Sequence, residues 1–597
     1  MKKPAMVKSS ELPLSAVQAL RKKLPHLSDP KYLEFLALKN QSLAVANLLA
    51  QLASADKSAT ASSYLNDFKS VTLNFEAAVG FARVIGLLEG ESVRATALQI
   101  FDHALANSRV KLTLGQLDYY VFLLIQFGRG LGAAKLAKKP YVTAAVNYVE
   151  NPDHWFPSFT KLFGSVGKEL APLRPGKEIF RKLEGNPELP KVSGDSLVSV
   201  IMTTYRPDED AEHAINSILA QTYTNFELII VDDGSGPEYR SILEKFLAKD
   251  SRIRLVALEK NVGTYGARNA GWLHANGRYL TGQDSDDWAH PRRLELQVKN
   301  LDRHPELAAN WTRGIRVNEH LQLDIRDGNF PLRSGERSVA VSMMIRHSPT
   351  FLRLGFFDGA RKGADTEYLH RLKAVFGPAS LAEIPEVLYV IQARYQSLSR
   401  TDFAPDWKHP NRQIYATVFG RWHRRLASGK GGSHFIDLSD RRAFPVPFAF
   451  TPAAKRGVTR KFDRVFFGDW YSTSPRQSWL MRELQSAVAA GSKVAFAQVD
   501  SIYKPHARQG KPDNELFELY EKGSVDFVAL DDKNVEAKQL VSPAEFVCFA
   551  EGKSSELGVQ EIILVTFQDT LDEMTLAAIA SAKRIFTKAK VTTKAAK

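Results

Sequence analysis

The chain has 597 residues, of which 44% are hydrophobic and 24% are charged, a composition that excludes a wholly disordered protein. This length exceeds what one hydrophobic core supports, so we expect several domains. A formal net charge of +14 suits nucleic acid, an anionic membrane face or diphosphate-bearing substrates, and does not choose among them. The single cysteine, Cys548, excludes an internal disulfide framework and a cysteine zinc site, and we expect it to be a small buried residue.

The sequence has neither a recognisable signal peptide nor a membrane-spanning pattern. Residues 1–10 are basic but lack the apolar stretch of a signal peptide. The most apolar helical stretch, residues 119–127, is shorter than the roughly 20 residues that a membrane span needs. We therefore expect a cytoplasmic protein, compatible with peripheral association at the inner face of the membrane.

The first third of the chain has a helical pattern. In residues 15–24 and 92–105, apolar side chains recur three and four positions apart, which is typical of helices that bury one face. The sequence therefore predicts an all-α domain over residues 1–185. A turn-rich linker, residues 181–195, follows it.

Beyond the linker, strand patterns alternate with helix patterns. Residues 197–205, 226–235 and 253–258 are predicted strands, and residues 211–221 and 239–249 are predicted helices. This alternation indicates a mainly parallel sheet built from βαβ units. In such sheets, ligands bind beyond the carboxyl ends of the strands.

A second alternating region follows a predicted helical extension and linker at residues 401–435. Residues 464–468 and 492–500 are predicted strands with a helix between them, which indicates a C-terminal α/β domain over residues 436–590. The following basic tail, residues 591–597, is expected to be solvated and frayed.

Acidic residues follow the predicted strand that ends near Gln283. Asp284, Asp286 and Asp287 offer the oxygen ligands that Mg²⁺ or Mn²⁺ prefers. The segment is thus a candidate metal and ribose site. Taken alone, the segment is more typical of an acidic turn or a helix N-cap, since Asp is favoured in both.

Several segments in chain order carry a resemblance to a known family. The region of residues 195–400 resembles the inverting glycosyltransferases of family 2, which have the fold called GT-A. The matching segments are residues 199–205 (Ser-Val-Ile-Met-Thr-Thr-Tyr), 218–235, 261–271 (Asn-Val-Gly-Thr-Tyr-Gly-Ala-Arg-Asn-Ala-Gly), 284–295, 354–358 (Leu-Gly-Phe-Phe-Asp) and 363–372.

The resemblance implies a nucleotide-sugar site. Thr203 and Tyr205 correspond to nucleotide contacts, with Tyr205 flanking the base, and Asp233 to an acceptor of a hydrogen bond from the base. Arg268 corresponds to an arginine near the nucleotide and phosphates, a task that its cationic fork suits. Asp284 corresponds to a residue near the ribose or the metal.

The resemblance also implies the metal ligands and the catalytic base. Asp286 corresponds to the direct ligand of a divalent cation, Mn²⁺ or Mg²⁺, with Asp284 beside it, and Asp287 is expected to cap the next helix. Asp365 corresponds to the base that deprotonates the acceptor, with Glu367 as a substitute. Many relatives carry a histidine that approaches the metal where this chain has Gln392, which leaves a third protein ligand open.

The implied reaction is an inverting, metal-dependent transfer of a sugar from a nucleoside-diphosphate sugar, a UDP-sugar by expectation, to a hydroxyl of a glycan or lipid-linked glycan. The implied setting is bacterial capsule, lipopolysaccharide or exopolysaccharide synthesis. Because the Gln-x-x-Arg-Trp signature of processive synthases is absent, we expect a non-processive enzyme or one that acts with membrane or polysaccharide-assembly partners.

Other interpretations remain open on the sequence alone. A scaffold with a weakened transferase core would use the flanking domains to bind partners. A nucleotidyltransferase is disfavoured, because residues 203–208 replace the Gly-rich phosphate loop of that class. No nucleic-acid partner is expected, since no known binding module is recognisable.

Overall fold

The computed structural model describes most of the chain. The described residues are 25–40, 43–56, 58–324, 336–394, 402–404, 407–430, 432–438, 442–499, 512–547, 555–570 and 572–596. Cys548 and the predicted helix at residues 15–24 lie outside these ranges.

Helices fill the N-terminal part, as predicted. Helix α4 (Phe75–Leu88) is buried over most of its length, and the neighbouring helices bury one face against it. Thr60 and Thr113 each form a capping box at a helix start, which satisfies backbone donors there. The other helices are α1 (Pro30–Asn40), α2 (Leu43–Ser54), α3 (Ala61–Val71), α5 (Glu91–Asn107), α6 (Leu114–Gln126), α7 (Gly130–Leu136), α8 (Pro140–Glu150) and α9 (Pro152–Thr160).

The central region is a twisted mixed sheet flanked by helices. Within the described residues its strand order is β3-β2-β1-β4-β8-β6-β9-β5, and β7 pairs with β6. The strands are β1 (Val198–Thr204), β2 (Phe226–Asp232), β3 (Ile253–Ala257), β4 (Tyr279–Asp284), β5 (Trp288–Ala289), β6 (Ala309–Val317), β7 (Glu336–Ser338), β8 (Met344–Arg346) and β9 (Leu381–Gln392). The helices are α10 (Glu209–Leu219), α11 (Pro237–Leu247), α12 (Thr264–Trp272), α13 (Arg293–Arg303), α14 (His347–Leu354) and α15 (Ala364–Phe376).

Strands β1 to β4 pair in parallel, which confirms the predicted βαβ units. Strands β1 and β2 are buried at every position, as expected for a parallel sheet with both faces covered. Beyond β4 the sheet continues with β8 in antiparallel pairing. The α/β class with a parallel first half is therefore confirmed, whereas the second half, in which β6 pairs in parallel with β9 and in antiparallel with β8, was not predicted.

The C-terminal region is also α/β, as predicted. Within the described residues, six strands pair in parallel in the order β14-β13-β12-β15-β16-β17. The strands are β12 (Arg460–Gly468), β13 (Val494–Gln498), β14 (Asp526–Phe527), β15 (Val535–Pro543), β16 (Gly558–Thr566) and β17 (Lys590–Ala595), and a separate pair is β10 (Phe403–Ala404) with β11 (Trp407–Lys408). The helices are α16 (Pro410–Ala427), α17 (Pro475–Ala489), α18 (Asn514–Glu521), α19 (Ala544–Val547) and α20 (Asp572–Ile585).

The prediction of a frayed basic tail was wrong. Strand β17 occupies most of this segment and pairs in parallel with β16 from Lys590 to Ala595. The segment lies at the edge of the sheet, and most of its side chains are exposed or half-buried. The lysines of this segment correctly indicated solvent exposure but not disorder. A strand at the edge of a sheet pairs its backbone on one side and can still expose its side chains.

Polar contacts join the regions on both sides of the central sheet. Arg292 pairs with Glu169 of the N-terminal part at 3.1 Å. On the other side, Arg442 of the C-terminal region pairs with Asp358 of the central region at 3.2 Å. Among the residues that the structure describes, no helix is long and apolar enough to cross a membrane.

Two buried histidines lie where the N-terminal part meets the central region. The ring of His290 lies 5.9 Å from that of Phe163, and the ring of His213 lies 5.4 Å from that of Phe180. Burial lowers the pKa of His290 to about 3 and that of His213 to about 4, from an ordinary value of 6.5. Both imidazoles are therefore neutral at pH 7.

We expect acid to destabilise this junction. Because both folded-state pKa values lie below the unfolded value, the stabilisation is complete above pH 6.5 and is lost as the pH falls towards 4. At pH 5 each histidine should cost about 2 kcal/mol of unfolding free energy relative to pH 7. Urea denaturation at both pH values measures the loss, which should shrink in the double variant His213→Phe/His290→Phe. An equal loss in this variant would contradict the prediction.

Candidate functional site

The sheet itself brings the first site residues together. Strands β1 and β4 are neighbours, and their register places Thr203 beside Asp284 at the carboxyl edge. Tyr205 follows β1 directly and is 44% exposed, with the guanidinium of Arg206 5.1 Å from its ring centre. An accessible aromatic ring at a sheet edge provides a surface on which a planar base can stack.

Asp233 ties the end of β2 to the loop before α12. Its carboxylate accepts hydrogen bonds from the backbone N–H groups of Val262 at 2.7 Å and Gly263 at 2.9 Å. Gly263 has a φ of +89°, a conformation that favours glycine.

Arg268 is buried and lies between acidic groups. Its Nη2 donates to Oδ1 of Asp284 at 2.6 Å, and its guanidinium lies 5.1 Å from the ring centre of Tyr265. Asp284 and Asp365 both raise the pKa of Arg268, against the lowering effect of burial. The guanidinium of Arg268 therefore interacts both with Asp284, in the predicted metal-binding segment, and with Asp365, the predicted base.

The acids after β4 crowd one another. Burial, followed by the charge of Asp284, raises the pKa of Asp286 to about 6, and Arg394 opposes this rise. Burial and the two neighbouring acids also raise the pKa of Asp287 well above its ordinary range. Ionising several carboxylates so close together is unfavourable unless a cation neutralises their charge.

A divalent cation fits Asp284 and Asp286. Among the described residues there is no group of three or more His, Cys, Asp or Glu side chains in a metal-binding arrangement. Mg²⁺ and Mn²⁺ do not require one, because one or two carboxylates together with substrate phosphates are sufficient. The accumulated negative charge, only partly neutralised by Arg268, suits such a cation.

Asp287 does not cap the next helix, and that prediction was wrong. Helix α13 begins at Arg293, and the carboxylate of Asp287 instead accepts a hydrogen bond from the backbone N–H of Gln392 at 2.9 Å. Asp287 therefore joins the acidic segment to the end of β9. Sequence spacing suggested a cap, but β5 intervenes between the acids and the helix.

Arg394 is a site residue that the sequence analysis missed. Its Nε donates to Oε1 of Gln392 at 3.0 Å, and its guanidinium pairs with Asp208 at 3.1 Å and with Asp210. Its charge also lowers the pKa of Asp286. Where relatives have a histidine, this chain thus places a glutamine that orients an arginine. One feature of the sequence could have indicated Arg394, namely its position two residues beyond Gln392, the last residue of β9.

Asp365 lies in the first turn of α15, whose N-cap Gly363 has a φ of +80°. The hydroxyl of Tyr265 is hydrogen-bonded to Asp365, and burial followed by this carboxylate's charge raises the pKa of Tyr265. Asp365 is half-buried, and its charge acts on Arg268. Asp365 and Asp284 therefore both lie near Arg268, on the same side of the domain.

The position of Glu367 does not support its predicted role as a substitute base. Its side chain is 0% exposed, and its two oxygens pair with Arg371 and His423, both at 3.0 Å. Arg371 also donates to the carbonyls of Leu354 at 2.6 Å and Phe356 at 2.8 Å. Glu367 therefore anchors α15 to its neighbours, because both of its carboxylate oxygens are engaged in these pairs.

Comparisons with known proteins find a family match within the central region. Residues 199–356 match the family model described as Glycosyl transferase family 2. The chain is 40% identical over 107 residues to the UDP-Glc:alpha-D-GlcNAc-diphosphoundecaprenol beta-1,3-glucosyltransferase WfgD of Escherichia coli, covering 18% of this chain and 42% of that protein. It is 26% identical over 250 residues to the glycosyltransferase GlyG of Streptococcus pneumoniae serotype 4, covering 37% of this chain and 78% of that protein.

Similar solved structures were also found. One is S. aureus TarS 1–349 in complex with UDP-GlcNAc, at 19% identity and a TM-score of 0.29, covering 39% of this chain and 65% of that one. Another is the mannosyltransferase PcManGT of Pyrobaculum calidifontis with GDP-Man and Mn²⁺, at 16% identity and a TM-score of 0.26, covering 49% and 76%. The chain spans less than half the length of WfgD. Residues 199–356 therefore match glycosyltransferase family 2 and lie within a central region of α/β fold.

Proposed function

We propose that the chain transfers a sugar from a UDP-sugar to a hydroxyl of a glycan or lipid-linked glycan, with inversion at the anomeric carbon. The observation that carries this proposal is the grouping of Asp284 and Asp365 around Arg268 at the carboxyl edge of the sheet. WfgD, by its name, uses UDP-Glc and a diphosphoundecaprenol-linked acceptor, which supports this choice of substrates.

The proposed donor site extends from the end of β2 to the acids after β4. Tyr205 stacks on the base, Asp233 accepts a hydrogen bond from it, and Thr203 contacts the nucleotide. Asp284 and Asp286 would hold Mn²⁺ or Mg²⁺, which when bound supplies positive charge to the diphosphate leaving group. Arg394, fixed by Asp208 and Asp210, adds positive charge near Asp286.

The proposed chemistry uses Asp365 as the base. Its carboxylate accepts the proton of the acceptor hydroxyl as that oxygen bonds to the anomeric carbon. The bond from this carbon to the diphosphate oxygen breaks on the opposite face, so one displacement inverts the configuration. Tyr265 donates a hydrogen bond to Asp365 and so fixes its orientation.

The flanking regions are proposed to serve the same process. We assign residues 1–185 to a helical domain, 195–400 to the catalytic domain, 401–435 to an extension and linker, and the remainder to the C-terminal α/β domain. Contact with polysaccharide-assembly partners or the inner face of the membrane is the proposed role of the outer domains, in a cytoplasmic protein.

Donor turnover tests the proposal. Purified protein should release UDP from at least one of UDP-Glc, UDP-GlcNAc and UDP-Gal, and EDTA should abolish the release. Proton NMR of a glycoside formed with a matching acceptor should show the inverted anomer. If no UDP-sugar is turned over and no nucleotide is bound, the proposal fails and the scaffold interpretation is favoured.

A further inference from the structure

A cleft lies between residues 183–191 and helix α10, outside the proposed donor site. Its volume is about 640 Å³, within the range of roughly 300–1,000 Å³ that is typical of ligand sites. Its wall includes Leu183, Glu184, Asn186, Lys191 and Trp288. No role in the proposed reaction has been assigned to these residues.

One face of α10 forms the opposite wall. Glu209, Glu212, His213, Asn216 and Ala220 line the cleft and recur three and four positions apart, as residues on one helix face do. By contrast, Asp208 and Asp210 bind Arg394 on the side of the acids after β4. Asp210 also pairs with Arg181 of the cleft wall, so the cleft adjoins the donor site, and Asp210 lies between Arg181 and Arg394.

The charges of the cleft disfavour an anionic ligand. Three carboxylates, of Glu184, Glu209 and Glu212, face two cations, Arg181 and Lys191, which leaves one excess negative charge. Both cations are already engaged. Arg181 pairs with Glu209 of the same cleft and with Asp210 at 2.5 Å. Nζ of Lys191 donates to the carbonyls of residues 220 and 221 at 3.2 and 3.0 Å. A phosphate would thus meet mainly acidic groups.

The polar side chains of the cleft can instead form hydrogen bonds with the hydroxyl groups of a ligand. Carboxylates accept hydrogen bonds, and the side-chain amides of Asn186 and Asn216 both donate and accept. His213 is 8% exposed, and its Nε2 has no hydrogen-bond partner among the described residues. Its imidazole is neutral at pH 7, because burial lowers its pKa to about 4. A buried polar atom without a partner is unfavourable unless a ligand or water satisfies it.

Residues 183–191, which cover the cleft, are fixed by backbone hydrogen bonds near both ends of the segment. Gly185 pairs with Leu170, and the backbone N–H of Asn186 donates to the carbonyl of Glu169 at 2.8 Å. At the other end, Val192 pairs with Tyr223. A preformed site loses less conformational entropy when a ligand binds.

We propose that this cleft binds a neutral stretch of an oligosaccharide, at a site separate from the hydroxyl that reacts. The identity of the ligand as glycan rests on the proposed function, whereas the hydroxyl-binding chemistry rests on the cleft alone. The site would hold a growing or finished glycan on the enzyme without contacting the donor.

Binding of neutral tetrasaccharides to the full chain tests this inference. Saturation-transfer NMR and calorimetry would use cellotetraose, chitotetraose and maltotetraose, without nucleotide. At least one should bind the wild type, and the double variant Glu212→Gln/Asn216→Ala should bind it at least tenfold more weakly. Glu188→Gln changes an exposed acid of the same covering segment outside the cleft, and should bind as the wild type does.

A second variant separates loss of ligand contacts from loss of folding. His213→Phe keeps an aromatic ring against Phe180 and removes the unpartnered Nε2, so it should weaken binding without lowering the melting temperature. Failure of all three tetrasaccharides to bind the wild type, or equal binding by the wild type and the double variant, would overturn the inference. Release of UDP from UDP-sugars, measured on the same protein, reports separately on the proposed function.

Discussion

Asp365→Asn should reduce the turnover number for sugar transfer by about 10²–10⁴-fold, the usual contribution of a general base. The amide has nearly the shape of the carboxylate and can still accept a hydrogen bond from Tyr265, but it cannot take the acceptor's proton. Nucleotide affinity should remain within about twofold, because Asp365 faces the acceptor in the proposed site. Steady-state kinetics with saturating donor, together with UDP binding, measure the two quantities.

Glu367→Gln is the matched control, two residues further along the same helix. It removes one charge of a fully buried group that pairs with Arg371 and His423, so its main effect should be on folding. Breaking such a buried pair costs about 3–5 kcal/mol of unfolding free energy. If Glu367→Gln lost turnover with unchanged stability while Asp365→Asn remained active, the assignment of the base would be wrong.

Asp286→Asn should abolish metal-dependent donor turnover, with a loss of at least about 10³-fold, because stabilisation of the leaving diphosphate by the cation would be lost. Asp284 cannot compensate fully, since Arg268 already pairs with it at 2.6 Å. In the wild type, the affinity for Mn²⁺ should fall as the pH drops through about 6, where Asp286 takes up a proton.

A titration of turnover against Mn²⁺ concentration checks the prediction for Asp286→Asn. Asp250→Asn, which alters an acid paired with Arg252 elsewhere in the domain, is the control and should respond to Mn²⁺ as the wild type does. Activity of Asp286→Asn at the wild-type level at every Mn²⁺ concentration would show that this residue does not hold the cation.

The first half of the catalytic sheet could be predicted from the sequence because its signals are local. Strands β1 and β2 are mostly apolar and buried at every position, and the parallel pairing of such strands places the residues that follow them at one edge. Thr203 and Asp284 are neighbours for this reason alone. The predicted nucleotide and metal site at the carboxyl edge of the sheet therefore rested on two sources. One was the position at which each predicted strand ends, and the other was the family resemblance.

The rest depends on contacts between distant residues. The pairing of β4 with β8 joins segments about 65 residues apart, and no local pattern specifies it. Glu367 resembles a second catalytic acid in sequence, but its position is decided by Arg371 and by His423 of another helix. Arg394 becomes a site residue only because Asp208 and Asp210 hold it there.

The central claim is that Asp286 and Asp365 serve one donor site, with the first holding the cation and the second facing the acceptor. Calorimetry of UDP binding with and without Mn²⁺, in the wild type, Asp286→Asn and Asp365→Asn, tests it most directly. We predict that Mn²⁺ strengthens UDP binding at least tenfold in the wild type and in Asp365→Asn, and has no effect in Asp286→Asn. UDP binding that is independent of Mn²⁺ in the wild type, or equally strengthened by Mn²⁺ in Asp286→Asn, would contradict the claim.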